Sequence, residues 1–292
     1  MKAWWAAGCL LLIGAGAAGA VFAAGGSVTA GSGSVSSVSS GSVSSVSGSG
    51  SGWSGVRLPS VAFVVTCRAD HEAPDDPLVH PGHPGASHPH LFYGNTATDA
   101  FSTPASLRSR GSTTCSDPAD RAAYWTPAPA GDHLRAYYDA GEANPSLVAV
   151  FPFGMSGIAG SPTVMKPGVD VVGFRCGAVA DGPTATGWVA SPSLSCTSKG
   201  TVVRYTFGQC ADDRQQRLRM CRAGEAAKYV RVRLVMQWMG SSSLGPHADF
   251  WNAWADDRLE YLVATCVRGE RKTNLAIKVC GLPGSGPATG TT

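Results

Sequence analysis

The sequence predicts a mainly β domain stapled by disulfides, a β-sandwich or jelly-roll-like fold with long loops and short helices. Apolar and polar residues alternate over ten positions between Tyr229 and Met239, which is the period of a strand with one buried face. Clusters of Gly, Pro and Ser separate other short runs rich in β-branched and aromatic residues. No long amphipathic helical pattern occurs, so the elements indicate packed sheets. The other predicted strands are Val61–Cys67, Leu147–Phe151, Val169–Cys176, Thr201–Phe207, Leu259–Val267 and Leu275–Cys280.

Two short helices are predicted between these strands. Thr103 followed by Pro104 is typical of an N-cap and a first helical turn, and Gly111 is placed to end the helix. Asp117 followed by Pro118 predicts a second, turn-like helix reaching Tyr124.

The ends of the chain predict four segments. Residues 1–23 read as a secretory signal peptide with Lys2 at its start and small residues before Ala24; a retained membrane anchor is the alternative, because the apolar stretch is long enough to span a bilayer. Residues 24–56 are a Gly/Ser/Val-rich flexible linker, and residues 281–292 are a disordered tail. Residues 57–280 remain for a single β-rich domain.

Charge and cysteine content narrow the class further. The formal net charge is +3 and no basic run exceeds Arg271-Lys272, which argues against a nucleic-acid partner. Removing the signal removes Cys9 and leaves eight cysteines, an even number that predicts four disulfides in an exported chain. Cys67–Cys115 and Cys266–Cys280 are the favoured pairs. Zinc bound by cysteines is disfavoured because no Cys-x-x-Cys occurs.

Two segments carry the candidate chemistry. His88 and His90 stand two residues apart, as do His247 and Asp249. In an extended strand that spacing places both side chains on one face. We expect the four to converge in one pocket. Three imidazoles and one carboxylate suit a divalent metal: zinc, or copper or iron if the geometry allows. The alternative is that the histidines hold loop backbone by hydrogen bonds.

Candidate roles follow from these residue types. In an enzyme, Asp249 and His247 would be the base and its orienting partner. Aromatic and amide side chains near the pairs are the candidate substrate-binding residues: Trp125, Trp251 and Asn95. Trp251 also suits core packing, and exposure would favour carbohydrate stacking. Motifs of serine hydrolases, phosphate-binding loops and His-Glu-x-x-His metalloproteases are missing, so the sequence leaves open whether the protein is an enzyme.

Three stretches resemble a family of secreted bacterial and fungal domains, DUF1996, whose function is unknown. Residues 87–95 are similar to its His-x-His-aromatic-Gly-Asn signature. The segment from Ser106 to Pro127 resembles a block with Thr-Cys, Asp and Tyr-Trp-x-Pro. The third stretch is His247-Ala248-Asp249-Phe250, with Trp254 and Cys266.

The resemblance implies where the protein acts, but it does not imply a reaction. Some fungal members carry carbohydrate-binding modules, which implies polysaccharide surfaces. This chain departs from the family at Leu91, where members usually have an acid, and over Phe207–Asp213, which lacks the histidines of the family's middle block.

We therefore expect a secreted or extracellular protein with no membrane contact beyond its N-terminal segment. Its predicted function is to bind or act on extracellular or cell-wall polysaccharide through the His/Asp cluster. The alternative is a non-catalytic cell-surface adhesion or structural module.

Overall fold

The computed structural model describes residues 62–164, 166–196, 199–240, 244–270 and residue 280. The expected signal or anchor, the linker and the tail lie outside the described residues, as does the strand predicted over Leu275–Cys280 except for its last residue. Within the described ranges, no helix is both long and apolar enough to cross a membrane.

The mainly β class is confirmed: eleven strands of the described chain form one curled sheet. The strands are β1 Ala62–Ala73, β2 His90–Gly94, β3 Ala123–Pro127, β4 Ala130–Asp139, β5 Ser156–Gly160, β6 Val172–Cys176, β7 Thr201–Thr206, β8 Cys210–Asp212, β9 Arg217–Arg219, β10 Arg231–Trp238 and β11 His247–Trp251. Their order across the sheet is β6-β7-β10-β4-β1-β2-β3-β11-β5-β9-β8.

Strand β1 joins the two halves of the sheet. Its residues 62–68 pair with β4, and its residues 69–73 pair with β2. The register shifts between Ala69 and His71, where the strand passes from one half to the other. Both halves contribute to one hydrophobic core; Tyr124 of β3, for example, meets Tyr138 of β4, with 2.6 Å between their hydroxyl oxygens.

The strongest predicted strand is present as β10. Val232, Leu234 and Met236 face the core, whereas Arg231 and Arg233 point to the other face. The alternation seen in the sequence is therefore the alternation of the two sheet faces. The predictions for β1, β6 and β7 are also confirmed.

The first helix, α1 Pro104–Ser109, begins as predicted. The hydroxyl of Thr103 accepts a hydrogen bond from the Ser106 amide at 3.1 Å, and the Ser106 hydroxyl accepts one from the Thr103 amide at 2.9 Å. This reciprocal capping fixes the start of a helix only six residues long.

The strand predicted over Leu259–Val267 is wrong. This segment is helical: α2 spans Asp256–Leu262 and a π-helical turn continues over Val263–Val267. Asp256 and Asp257 in the first turn suit the positive end of a helix. The π-helical turn is buried throughout. A fully buried helix shows no polar stripe, so its β-branched residues imitate a buried strand.

Two smaller predictions are also corrected. Leu147–Phe151 forms only an isolated bridge between Ala149 and Tyr229. Val148 and Phe151 are buried in the core, so the segment packs there without the hydrogen-bond ladder of a strand. The helix predicted from Asp117 is a turn instead, because the Asp117 carboxylate accepts a hydrogen bond from the Ala119 amide at 3.0 Å. Strand β3 then follows directly.

All eight cysteines expected to pair do so. The four disulfides are Cys67–Cys115, Cys176–Cys196, Cys210–Cys221 and Cys266–Cys280, which include both favoured pairs. Four disulfides are typical of a protein that folds in an oxidising compartment.

Candidate functional site

Strands β2 and β11 bring the two histidine segments together. Both pair antiparallel with β3, which lies between them, so they run in the same direction and begin at the same edge of the sheet. His90 is the first residue of β2, and His247 is the first residue of β11. His90 lies opposite Pro127, the last residue of β3.

Three imidazole nitrogens converge at this edge. Nε2 of His247 lies 3.2 Å from Nε2 of His88 and 3.3 Å from Nε2 of His90. Ligand atoms of the three rings all lie within 4.8 Å of one another. His90 and His247 are buried, and His88 is half-buried at the end of the preceding loop.

Backbone carbonyls fix two of the three rings. Nδ1 of His90 lies 2.9 Å from the Asp75 carbonyl oxygen, and Nδ1 of His247 lies 3.0 Å from the Gly245 carbonyl oxygen. A carbonyl only accepts, so each Nδ1 carries the proton and donates it. The Nε2 atoms of these neutral rings therefore present lone pairs to each other. Two facing lone pairs repel unless a cation lies between them.

Burial keeps these rings neutral. Burial, together with the neighbouring His88, lowers the pKa of His90 to about 3. Burial likewise lowers the pKa of His247 to about 4. Both rings are therefore unprotonated at neutral pH, which is the form that binds metals.

Asp249 lies beside the histidines on the same face of the sheet. It is fully buried, and neither of its carboxylate oxygens has a hydrogen-bond partner. Burial raises the pKa of Asp249 well above its usual value, and the nearby Asp76 raises it further. A buried carboxyl group without a partner is costly, by about 1–3 kcal/mol or more. Such a group is typical of a site that is completed by a ligand.

Asp76 is a member of the cluster that sequence reasoning missed. Its carboxylate, the carboxylate of Asp249 and a nitrogen of His90 lie within 4.8 Å of one another. One Asp76 oxygen also accepts hydrogen bonds from the amides of Leu78 and Val79, both at 3.0 Å. The signal available was two adjacent acids, Asp75 and Asp76, between prolines just before the histidine-rich loop.

The cluster opens into a cavity of about 170 Å³. Asp76, His88, His247 and Asp249 line it together with Ile158 of β5 and small or apolar residues of the surrounding loops: Val79, Ala86, Ser87 and Pro162. His80 also lines this cavity, whereas His83 of the same loop is exposed. The cavity gives a small molecule access to the cluster.

The three candidate substrate-binding residues make structural contacts. Trp125 is fully buried and stacks on Phe92, with ring centroids 5.8 Å apart. Trp251 is half-buried and donates its indole N–H to the Gly154 carbonyl at 3.0 Å. Asn95 is buried, and its amide donates to the Arg121 carbonyl at 3.1 Å. These contacts fix packing and loops, and a substrate-binding role for the three residues stays a prediction.

A second grouping of possible ligands, Cys67, Cys115 and Asp120, has different chemistry. Both cysteines are joined in a disulfide, so neither has a thiolate to offer a metal.

Residues 76–220 match the model of a family described as a domain of unknown function, DUF1996. The match includes His88, His90 and Asp76, and it ends before β11, so His247 and Asp249 lie outside it. No curated protein and no solved structure matches the chain.

Proposed function

We propose that this protein, which belongs to the DUF1996 family through residues 76–220, binds a divalent transition metal at the histidine cluster and uses it on extracellular polysaccharide. His88, His90 and His247 would ligate the metal through Nε2. Asp249 would be the neighbouring carboxylate that ligates the metal or takes a proton from water bound to it.

The spacing of the imidazole nitrogens carries the metal proposal. Zinc–nitrogen bonds of about 2.0–2.1 Å in a tetrahedral arrangement place two ligand nitrogens about 3.3 Å apart. The Nε2 atoms of His88 and His90 lie 3.2 and 3.3 Å from that of His247. His90 and His247 have no hydrogen bond to share at this separation, because the carbonyls of Asp75 and Gly245 already take their Nδ1 protons. A proton on Nε2 of His88 would satisfy His247 alone, so His90 would still face His247 without a proton between them. A small cation that accepts three lone pairs satisfies the cluster.

Three imidazoles favour zinc, and they leave a fourth position for water in a catalytic arrangement. A zinc ion lowers the pKa of such a water to about 7. Asp249 would accept its proton, and the cavity of about 170 Å³ would give a substrate group access to the metal. Copper and iron also bind imidazole-rich sites, so the metal itself must be measured.

The polysaccharide part of the proposal has separate support. Residues 1–23 are expected to be an export signal, the four disulfides suit the extracellular space, and some fungal members of the family carry carbohydrate-binding modules.

Metal analysis is the first test. Protein purified without chelator should contain about one zinc, copper or iron per chain, and the metal-free protein should rebind it with a measurable Kd. His247→Ala should weaken metal binding at least about 100-fold. Losing a hydrogen-bond partner of a metal ligand typically costs about 10- to 100-fold, and losing the ligand itself should cost at least as much. His83→Ala is the matched control, because this exposed histidine of the same loop lies outside the cluster. Metal-free wild type that binds none of the three metals would overturn the proposal.

Activity is tested separately on insoluble plant and fungal cell-wall polysaccharides. The metal-loaded protein should release soluble reducing sugars, and both the metal-free protein and His247→Ala should not. Binding to the polysaccharide without release would favour the non-catalytic adhesion module. Metal binding without any polysaccharide interaction would retain the metal centre and reject this substrate.

A further inference from the structure

A second cavity, of about 180 Å³, is lined by three arginines: Arg204, Arg231 and Arg233. It shares no lining residue with the cavity of the histidine cluster. Arg233 pairs directly with Thr206 across β10 and β7, so the two side chains share the sheet face that points away from the core. Arg204 stands two residues before Thr206 on that same face.

One carboxylate serves two of these arginines. Asp139 is buried, and it accepts hydrogen bonds at 3.0 Å from Nε of Arg231 and from Nε of Arg233. Arg204 forms no ion pair with any described residue. Its guanidinium donates instead to the carbonyl oxygens of Pro183 at 3.1 Å and Val169 at 2.9 Å. The face therefore carries three cations against a single buried anion.

Two further acids, Glu142 and Asp170, lie at the cavity, but both are exposed. Water and salt screen exposed charges, so these acids offset the buried cations only weakly. Burial, followed by the like charges of Arg233 and Arg231, lowers the pKa of Arg204 to about 10.

Polar atoms at this cavity also lack partners. Nε of Arg204 and the hydroxyl of Thr206 are buried without a hydrogen bond, and Thr206 is only 7% exposed. Leaving a buried donor unpaired costs about 1–3 kcal/mol. Excess positive charge and unpaired donors at one cavity are relieved by the same kind of ligand, a small anion with several acceptor oxygens.

We propose that this cavity binds a compact oxyanion: a carboxylate, sulfate or phosphate group. Planar guanidinium groups donate to such groups in charge-assisted hydrogen bonds, often two at a time. The ring of Trp188 supports the site, because the Arg204 guanidinium carbon lies 4.6 Å from its centroid and is held over it. A cavity of about 180 Å³ suits one small group, either as a free ion or at the end of a larger molecule.

Calorimetric titration of the full chain tests this site with sodium sulfate, sodium phosphate and sodium glucuronate, each at constant ionic strength set with chloride. At least one should bind with a measurable Kd. Binding of glucuronate alone would identify a sugar carboxylate, and binding of sulfate or phosphate would identify an inorganic or esterified anion. Absence of binding by all three would overturn the proposal.

Arg204→Gln should weaken that binding at least tenfold. Arg175→Gln is the matched control: Arg175 lies over the same Trp188 ring, at 5.6 Å, but pairs with Asp181 and does not line the cavity. Equal losses in the two variants would reject the site and indicate a general effect of surface charge. If Arg204→Gln fails to fold, Thr206→Val removes the unpaired hydroxyl at nearly constant volume and should weaken binding severalfold; unchanged binding in that variant would likewise reject the site.

Discussion

Asp120, in the turn before β3, and Asp249, in the neighbouring strand β11, are both fully buried carboxyl groups, but they differ in their hydrogen-bond partners. Asp120 accepts hydrogen bonds from the Ala122 amide at 3.0 Å and from the Tyr124 hydroxyl at 2.9 Å. Asp249 has no partner for either oxygen. Burial raises the pKa of both carboxyls well above the usual value.

This difference separates a structural acid from the acid of the proposed metal site. The partners of Asp120 belong to a closed network, in which Tyr124 contacts Tyr138, and Tyr138 accepts the indole N–H of Trp254 at 3.1 Å. Such a network stabilises the fold without any ligand. Asp249 instead stands beside three imidazole lone pairs, where a bound cation would supply the missing partner. Burial and a raised pKa are common to both, so the hydrogen-bond partners decide the assignment.

The largest expected effect is on stability. Asp120→Ala leaves the Tyr124 hydroxyl and the Ala122 amide short of a partner, and it should lower the free energy of unfolding by about 2–5 kcal/mol. Asp249→Ala relieves the cost of a buried carboxyl without a partner but leaves a cavity. These two effects oppose each other, so the stability of the metal-free protein should change by less than about 1 kcal/mol. Urea unfolding with the disulfides intact, followed by tryptophan fluorescence, measures both. Equal losses would remove the distinction between the two acids.

For zinc affinity the larger effect should come from substituting Asp249 and the smaller one from substituting Asp120, the reverse of the order expected for stability. Asp249→Asn should weaken zinc binding by about 10- to 100-fold, the range typical for groups that support a metal site. Asp120→Asn should leave the affinity within about threefold of wild type, since its network does not include the histidines. Competition with a chromophoric zinc chelator gives both constants. Wild-type affinity in Asp249→Asn would remove Asp249 from the metal site.

The pH dependence of zinc binding sharpens the role of Asp249. The pKa values of His90 and His247, about 3 and about 4, leave both rings neutral above pH 5, and burial also lowers the pKa of His88. Burial raises the pKa of Asp249, so at any pH below that raised pKa its carboxyl group must lose a proton when it ligates zinc. Affinity should therefore rise with pH, by up to tenfold per unit, until pH passes the pKa of Asp249.

Calorimetry in buffers with different ionisation enthalpies counts the released protons. Wild type should release one proton more than Asp249→Asn at the same pH, because the amide has none to lose. Identical proton counts would show that Asp249 does not ionise on zinc binding.

The smallest expected effect is a difference in stability between variants of two buried tryptophans: Trp254, in the network of Asp120, and Trp125, beside Asp249. Trp254 donates to Tyr138, whereas the indole nitrogen of Trp125, which lies opposite Asp249, has no partner. Trp254→Phe should therefore cost about 1 kcal/mol more stability than Trp125→Phe, the value of one net hydrogen bond. Thermal unfolding of the two variants at one pH makes the comparison. A larger loss for Trp125→Phe would mean that packing outweighs hydrogen bonding at these positions.

Local patterns predicted the elements whose signals are local. The alternation of residues in β10 and the capping pair before α1 each depend on neighbours within a few positions, and both elements are present. The segment from Leu259 to Val267 misled the prediction because burial throughout Val263–Val267 removes the periodicity that separates a helix from a strand.

Spacing in the sequence predicted which histidines and acids share a face, but not what surrounds them. His247 and Asp249 stand two residues apart on β11, so their common face follows from strand geometry. Asp76 approaches from a loop that precedes β2, and its distance from Asp249 depends on how that loop lies over the sheet. No local pattern reports such a contact.

The sequence by itself determined the β class, the even set of pairing cysteines and the two segments that carry the histidines, because these depend on composition and on spacing along one strand. Tertiary structure alone decided that β3 lies between β2 and β11, that the carbonyls of Asp75 and Gly245 fix the imidazole protons, and that Asp249 has no partner. It also buried Trp125 and assembled the arginine cavity. Each of these features depends on strand order and on contacts between residues far apart in the chain. Whether a side chain finds a hydrogen-bond partner there depends on the folded arrangement and not on neighbouring residues in the sequence.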